Sequence, residues 1–114
     1  MTPLRPAISI RIHRNEKCFG PGVAQLLRHV QECHSLRGAA MAMDMAYSKA
    51  WTVMKRSEKE LGLPLLVYST GGKHGGGAVL TPEAEKLLAA YEAYCKNVLS
   101  AADEYFQEAF REFL

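Results

Sequence analysis

The stretch that most restricts the fold of this chain runs from Met45 to Thr81. A helical segment rich in Lys and Arg leads into a short apolar run, and the glycine-rich octet T-G-G-K-H-G-G-G follows at residues 70–77. A second apolar run, A-V-L, comes next, and Thr81-Pro82 is a typical helix start. Two apolar runs joined by glycines predict a β-hairpin. The predicted order is a basic helix, a hairpin with a basic tip, and another helix.

That order is typical of a winged helix-turn-helix, which places one helix in the DNA major groove. The hairpin, or wing, then contacts the DNA backbone or the minor groove. Upstream, helical periodicity predicts a first helix over about 22–33 and a second over about 36–43, with Ser35 as its N-cap. The third helix, 46–61, ends at Gly62 ahead of a proline. We expect the third helix to be the recognition helix.

The remaining elements complete the predicted topology. Alternating isoleucines predict a strand over residues 7–13, and residues 15–22 are predicted to form a loop. The hairpin strands are expected at 65–69 and 78–80. The predicted fold is therefore mainly α with a small β-sheet (α+β), in the order β-α-α-α-β-β-α. Residues 1–80 form the winged helix-turn-helix DNA-binding domain, and residues 81–114 form a C-terminal dimerisation helix of the same compact unit.

Charge is distributed unevenly along the 114 residues, a length that suits one domain. Residues 1–80 contain 11 Lys or Arg and 5 Asp or Glu, whereas residues 81–114 contain 3 and 7. The net charges are therefore +6 and −4. A basic first part favours a polyanionic partner. The sequence shows no apolar run of membrane-span length, and three cysteines without a CxxC pair favour a reducing cytoplasm.

The candidate DNA-binding residues follow from a helical projection of the third helix at about 100° per residue. With Ala50 on the inner side, together with Ala46, Met54 and Ser57, the opposite side carries hydroxyls and amines that can bind bases and phosphates. Adding the second helix and the wing tip gives the predicted set: Arg37, Tyr47, Ser48, Lys49, Thr52, Lys55, Arg56, Lys73 and His74. Trp51 has two open interpretations: it packs on the wing or between helices, or it lies against the DNA sugar-phosphate backbone. The glycines around Lys73 do not match a P-loop, because a strand follows them.

The last helix carries a long apolar stripe, which is too much apolar surface for a helix that projects alone into water. We expect a homodimer joined through this helix, although periodicity alone also allows the helix to fold back on its own core. The predicted dimerisation residues are Leu87, Leu88, Tyr91, Tyr94, Val98, Leu99, Tyr105 and Phe106.

Three stretches resemble the N-terminal DNA-binding domain of the molybdate-responsive regulators (ModE), which is similar in plan to the winged helix-turn-helix of LysR-type regulators. They are F-G-P-G-V-A-Q-L-L-R-H-V (19–30), A-Y-S-K-A-W (46–51) and S-T-G-G-K-H-G-G-G-A-V-L-T (69–81). The resemblance covers about residues 7–110. It implies a dimer joined by the terminal helix, with the third helix and the wing on operator DNA. Because the sequence stops at Leu114, we expect a stand-alone form that lacks the molybdate-binding domains of that family.

The sequence departs from that family at three positions. Ala46 replaces the serine that usually caps the recognition helix, which costs about 1 kcal/mol. His34 and Asp44 stand where the family often has glycine.

Other functions find less support in the sequence. Cys33-His34 with Cys18 or His29 lacks the ligand spacing of a metal site, and no cleft for nucleophilic catalysis is indicated. We therefore expect no enzyme activity, no cofactor and no metal, and no small-molecule effector is identified. A protein-interaction module without DNA binding and a metal-responsive regulator remain the alternatives.

Overall fold

The computed structural model describes residues 1–70 and 76–114, so the predicted tip residues Lys73 and His74 lie outside the described residues. The α+β winged-helix fold class predicted from the sequence is confirmed. In chain order, the described elements are β1 (Ile12–His13), β2 (Lys17–Phe19), α1 (Pro21–Cys33), α2 (Leu36–Ala42), α3 (Tyr47–Leu61), β3 (Leu66–Ser69), β4 (Gly77–Leu80), α4 (Pro82–Ala109) and a 3-10 turn (Arg111–Phe113).

The N-terminal segment differs from its prediction. The single strand expected over 7–13 is reduced to β1, and the predicted loop contains β2, which pairs with β1 in an antiparallel ribbon. Ile8 is exposed, whereas Ile10 and Ile12 are half-buried against the core. A three-residue strand is too short to give a period-two signal, which is why the sequence did not reveal β2.

Helices α1, α2 and α3 surround the hydrophobic core. The side chains that they bury in it recur at helical spacing. Leu26, Leu27 and Val30 of α1 pack there with Ala50 and Met54 of α3. The predicted Ser35 cap is confirmed, because its hydroxyl accepts the Gly38 backbone N–H at 2.8 Å.

Two turns in this bundle use left-handed backbone. His34 ends α1 at φ 59°, and Asp44 lies between α2 and α3 at φ 53°. At both positions, the family that the sequence resembles often has glycine. Glycine adopts the left-handed conformation without a steric penalty, which explains that preference. The turn at His34 directs its carbonyl to the Ala78 backbone N–H at 2.9 Å, which fixes β4 against the end of α1.

The β3–β4 hairpin is antiparallel, with Leu66 opposite Leu80 and Ser69 opposite Gly77. Gly76 permits a close approach at the top of the hairpin, because a Cβ there would lie 2.3 Å from the Ser69 carbonyl oxygen. The Ser69 hydroxyl also accepts the Gly77 backbone N–H at 3.1 Å. The two strands of the hairpin therefore approach closely where Ser69 faces Gly76 and Gly77.

Helix α4 begins as predicted but ends earlier. The Thr81 hydroxyl accepts the Ala84 N–H at 3.0 Å and donates to the Pro64 carbonyl at 2.8 Å. The continuous α-helix stops at Ala109 instead of reaching Leu114. None of the helices among the described residues combines the length and apolar character needed to cross a membrane.

Two of the predicted dimerisation residues belong to the chain's own core. Leu88 is 1% exposed and Tyr91 is 8% exposed, and the Tyr91 ring packs edge-on against Phe19 at a centroid distance of 5.0 Å. Side chains covered by their own chain cannot contact a partner, so we assign both to the core. Periodicity could not distinguish these core residues from exposed ones, because the same apolar stripe continues from the buried part of α4 into its exposed part.

The Tyr91 hydroxyl gives a test of this packing. It donates to the Ile10 carbonyl at 2.7 Å, and burial, followed by a hydrogen bond with Cys95, raises the pKa of Tyr91 to about 12. A raised pKa in the folded state adds stability that is present below pH 10 and lost as the pH rises from about 10 to about 12. We expect Tyr91→Phe to lower the free energy of unfolding by about 1 kcal/mol at neutral pH.

We also expect Tyr91→Phe to flatten the alkaline loss of stability. Urea unfolding of both proteins at pH 8 and at steps up to pH 11 measures the two effects. Equal pH dependence of the two proteins would show that Tyr91 keeps an ordinary pKa.

Candidate nucleic-acid interface

One side of α3 is free of contact with the core. Ala50, Met54 and Ser57 are buried, which places the inner side where the helical projection predicted it, although Ala46 is exposed. Ala46 is the N-cap and provides no side-chain hydrogen bond to the helix. The exposed positions of α3 include all the predicted DNA-binding residues of this helix: Tyr47, Ser48, Lys49, Thr52, Lys55 and Arg56.

The hydroxyls at the centre of this side are partly committed to the helix. The Thr52 hydroxyl donates to the Ser48 carbonyl at 2.9 Å, one turn earlier. Its oxygen can still accept a hydrogen bond, and Ser48 has both functions available, since a hydroxyl is donor and acceptor. These two groups can therefore contact base edges in a major groove.

Lys55 connects α3 to the hairpin. Its ammonium lies 5.4 Å from the centre of the Trp51 ring and 5.3 Å from that of Tyr68 on β3, within the range of cation–π attraction. Trp51 is 45% exposed, so it lies on the surface beside the hairpin and not in the core. The ammonium also pairs with Glu58 at 3.4 Å, and 43% of the Lys55 side chain is exposed. Lys55 is thus held in place and still accessible to a phosphate.

Glu58 is a structural residue that the sequence analysis did not identify. Its carboxylate accepts the Leu65 backbone N–H at 2.7 Å and the Leu66 N–H at 3.4 Å. Only 13% of its side chain is exposed. Burial, followed by the negative charge of Glu58, raises the pKa of Tyr68 to about 12. Glu58 therefore fixes β3 to α3.

A groove of about 450 Å³ separates the start of α2 from the hairpin. Arg37 and Tyr47, both predicted to bind DNA, line one side of it, and the Arg37 guanidinium stacks 4.4 Å above the Tyr47 ring. Tyr68, Ser69 and Thr70 line the other side. Arg37 and Tyr47 thus adjoin the hairpin, together with Lys55.

The two other predicted cations of α3 lie on its opposite flank. At about 100° per residue, Lys49 and Arg56 fall on the side away from Trp51. Arg56 borders a cavity of about 280 Å³ that Arg11 and Lys17 of the N-terminal segment also line. Arg11 and Lys17 were absent from the predicted set, because the strand predicted over 7–13 and the loop predicted over 15–22 gave no sign that either residue lies beside α3. The structure therefore places the predicted cations along both flanks of one helix.

From Tyr94 onward, most of the apolar residues of α4 lie outside the core, although Cys95 is partly buried against it. Tyr94, Leu99 and Tyr105 are 53%, 42% and 76% exposed, and Val98 and Phe106 are half-buried. Leu87 is half-buried against the core. At the end of the chain, Phe106 and Phe110 stack at a centroid distance of 4.7 Å.

No cluster of three or more His, Cys, Asp or Glu side chains suited to a metal occurs within residues 1–70 and 76–114. His34, His29 and the three cysteines are among these described residues, whereas His74 is not.

Comparison with known proteins gives one family match. The family described as bacterial regulatory helix-turn-helix protein, lysR family, matches residues 23–85. This range begins at the third residue of α1 and includes α2, α3, the β3–β4 hairpin and the first turn of α4.

Three relatives extend the comparison. The transcriptional regulator ModE of Haemophilus influenzae is 40% identical over 63% of this chain and 28% of its own length. The molybdenum-pterin-binding protein MopB of Rhodobacter capsulatus is 36% identical over 78% of this chain and 33% of its own. The DNA-binding transcriptional dual regulator ModE of Escherichia coli is 29% identical over 88% and 38%. The resemblance predicted from the sequence is confirmed, and the chain spans between 28% and 38% of these relatives.

Proposed function

Because the chain belongs to the bacterial regulatory helix-turn-helix family of the lysR type, we propose that it is a sequence-selective regulator of transcription that binds double-stranded DNA. Helix α3 enters the major groove, and the hairpin lies on the backbone or the minor groove. The partner is duplex DNA, and no cofactor takes part. We place this activity in the cytoplasm, in keeping with three free cysteines.

One observation carries this proposal: Lys55 lies between an aromatic residue of α3 and one of β3. Lys55 therefore places a cation where α3 meets the hairpin, and Arg37 and Tyr47 line the neighbouring groove. Hydroxyls on the same side of α3 supply groups that can discriminate bases, whereas the cations supply affinity for any sequence.

The test measures the affinity of the protein for a fluorescent random-sequence duplex. Fluorescence anisotropy monitors binding at salt concentrations from 50 to 300 mM. We expect log affinity to fall linearly with log salt concentration, with a slope of several units. A single strand of the same length is the comparison, because it lacks a major groove. A protein-interaction module would leave the duplex unbound at every salt concentration.

We further propose that the protein is a homodimer joined through the second half of α4. At about 1.5 Å per residue, this helix of 28 residues is about 42 Å long. Its burial within the protomer ends near Cys95, while large apolar side chains continue to the end of the chain. A second copy of the same helix can cover such a stripe.

A dimer would present two copies of α3 to two half-sites, one or more helical turns apart. The double change Leu99→Glu and Tyr105→Glu is expected to convert the dimer into a folded monomer, because both side chains are exposed in the protomer. Sedimentation equilibrium measures the mass, and circular dichroism monitors folding.

The matched control for this test is the double change Lys96→Gln and Gln107→Glu, which lowers the net charge by the same amount at exposed polar positions of the same helix segment. A wild-type protein that is monomeric at 100 μM, or a variant that remains dimeric, contradicts the assignment of the dimer to this stripe.

A further inference from the structure

We propose that the N-terminal ribbon, residues 11–19, is a second phosphate-binding element that contacts the DNA backbone on the side of α3 opposite the hairpin. This inference rests on the proposed DNA-binding function and extends the interface to Arg11 and Lys17, which neither the recognition helix nor the hairpin contains. The ligand is the phosphate backbone of duplex DNA.

The ribbon occupies the flank of α3 that the hairpin leaves free. Trp51 marks the hairpin flank, because Lys55 links it to Tyr68. Arg56 lies about 140° away around the helix, at about 100° per residue. It lines the 280 Å³ cavity together with Arg11 and Lys17 of the ribbon. The recognition helix therefore lies between two antiparallel ribbons.

The cations on this flank are free of carboxylate partners. Arg11, Lys17 and Arg56 are all exposed, and none of them forms an ion pair within residues 1–70 and 76–114. The ribbon contains one acidic residue, Glu16. Arg14 serves a different purpose, because its guanidinium donates to the Leu61 carbonyl at 3.3 Å. Two ribbon cations and one α3 cation thus remain available to an anion.

The start of α1 adds to the positive potential of the same cavity. Gly20, its N-cap, has no side chain to accept the free N–H groups, and the first turn carries no acidic residue. Pro21 and Gly22 line the cavity. A helix N-terminus carries a partial positive charge, so it reinforces the three side chains.

The arrangement suits a duplex because a major groove, about 12 Å wide, is bordered by a phosphate backbone on each side. A helix lying in the groove has one backbone on each flank. The hairpin can contact the phosphate backbone on one side of the groove. A basic ribbon on the other flank of α3 can contact the phosphate backbone on the other side. A small anion confined to the cavity is the competing occupant, and the test separates the two.

The experiment compares wild type with the double variant Arg11→Gln and Lys17→Gln on the same random-sequence duplex from 50 to 300 mM salt. We expect the salt slope to decrease by about 0.9 for each phosphate contact removed and the affinity at 0.1 M salt to fall at least tenfold. Lys86→Gln is the control, because Lys86 is an exposed lysine on α4. Thermal melting establishes that each variant is folded.

The outcomes are distinguishable. A wild-type protein with a steep salt slope and a double variant identical to Lys86→Gln overturns the ribbon inference and leaves the proposed function intact. The ribbon inference is also overturned if the double change abolishes binding of inorganic phosphate but leaves the salt dependence of DNA affinity unchanged. In that case, the cavity binds only a small anion. A wild-type protein that ignores duplex DNA overturns both. A reduced slope confined to the double variant supports the ribbon contact.

Discussion

Replacing Lys49 and Lys55 together by glutamine is expected to weaken the binding of every duplex about 60-fold at 0.1 M salt. Both side chains are exposed on α3, one on each flank. Each phosphate contact contributes a slope of about 0.9 in log affinity against log salt, so two lost contacts reduce the slope by about 1.8. Because phosphates carry no sequence information, the loss should be the same for all sequences.

The control is the double change Lys86→Gln and Lys96→Gln, which removes the same charge from exposed positions of α4. It should leave the slope within a few tenths of wild type. Equal losses in the two double variants would mean that net charge, and not the position of Lys49 and Lys55 on α3, determines affinity.

Glu58→Ala is expected to lower the free energy of unfolding by about 2–3 kcal/mol, because two backbone N–H groups lose their acceptor in a partly buried position. For a chain of this length, that corresponds to a fall in melting temperature of about 10 °C. Lys55 also loses its ion-pair partner, so its position between Trp51 and Tyr68 should loosen. Urea unfolding and Trp51 fluorescence measure the two effects.

Two further variants identify the cause. Glu58→Gln retains an acceptor oxygen and should recover more than half of the lost stability. Glu60→Ala removes a carboxylate two residues along α3 that makes no hydrogen bond within the described residues, and it should change stability by less than 0.5 kcal/mol. If Glu58→Ala and Glu60→Ala are alike, the carboxylate does not hold β3 against α3.

Much of the fold could be predicted because local signals agreed with packing. Ser35 and Thr81 cap helices where they were expected, and Gly62 ends α3 in the left-handed region. The inner side of α3 follows from helical spacing alone. His34 and Asp44 adopt backbone that glycine prefers, which agrees with the family pattern at these positions.

The parts that could not be predicted depend on contacts distant in sequence. Glu58 looks like a solvated helix residue until β3 folds beside it and offers two N–H groups. The three residues of strand β2 are held in strand conformation by pairing with β1. Their amino-acid types alone do not predict a strand. Leu88 and Tyr91 belong to the same apolar stripe as exposed residues further along α4. The rest of the fold covers only the first part of this helix, and the sequence of the helix does not show where that cover ends.

Selection of bound sequences from a randomised duplex library tests the central proposal most directly. We expect an enriched inverted repeat whose half-sites are centred one helical turn, or a multiple of it, apart, because a dimer presents two copies of α3. The variant with Ser48 and Thr52 both changed to alanine should alter the enriched bases but keep the spacing. A recovered pool as random as the starting library, from protein that is folded and dimeric, would contradict sequence-selective binding by α3.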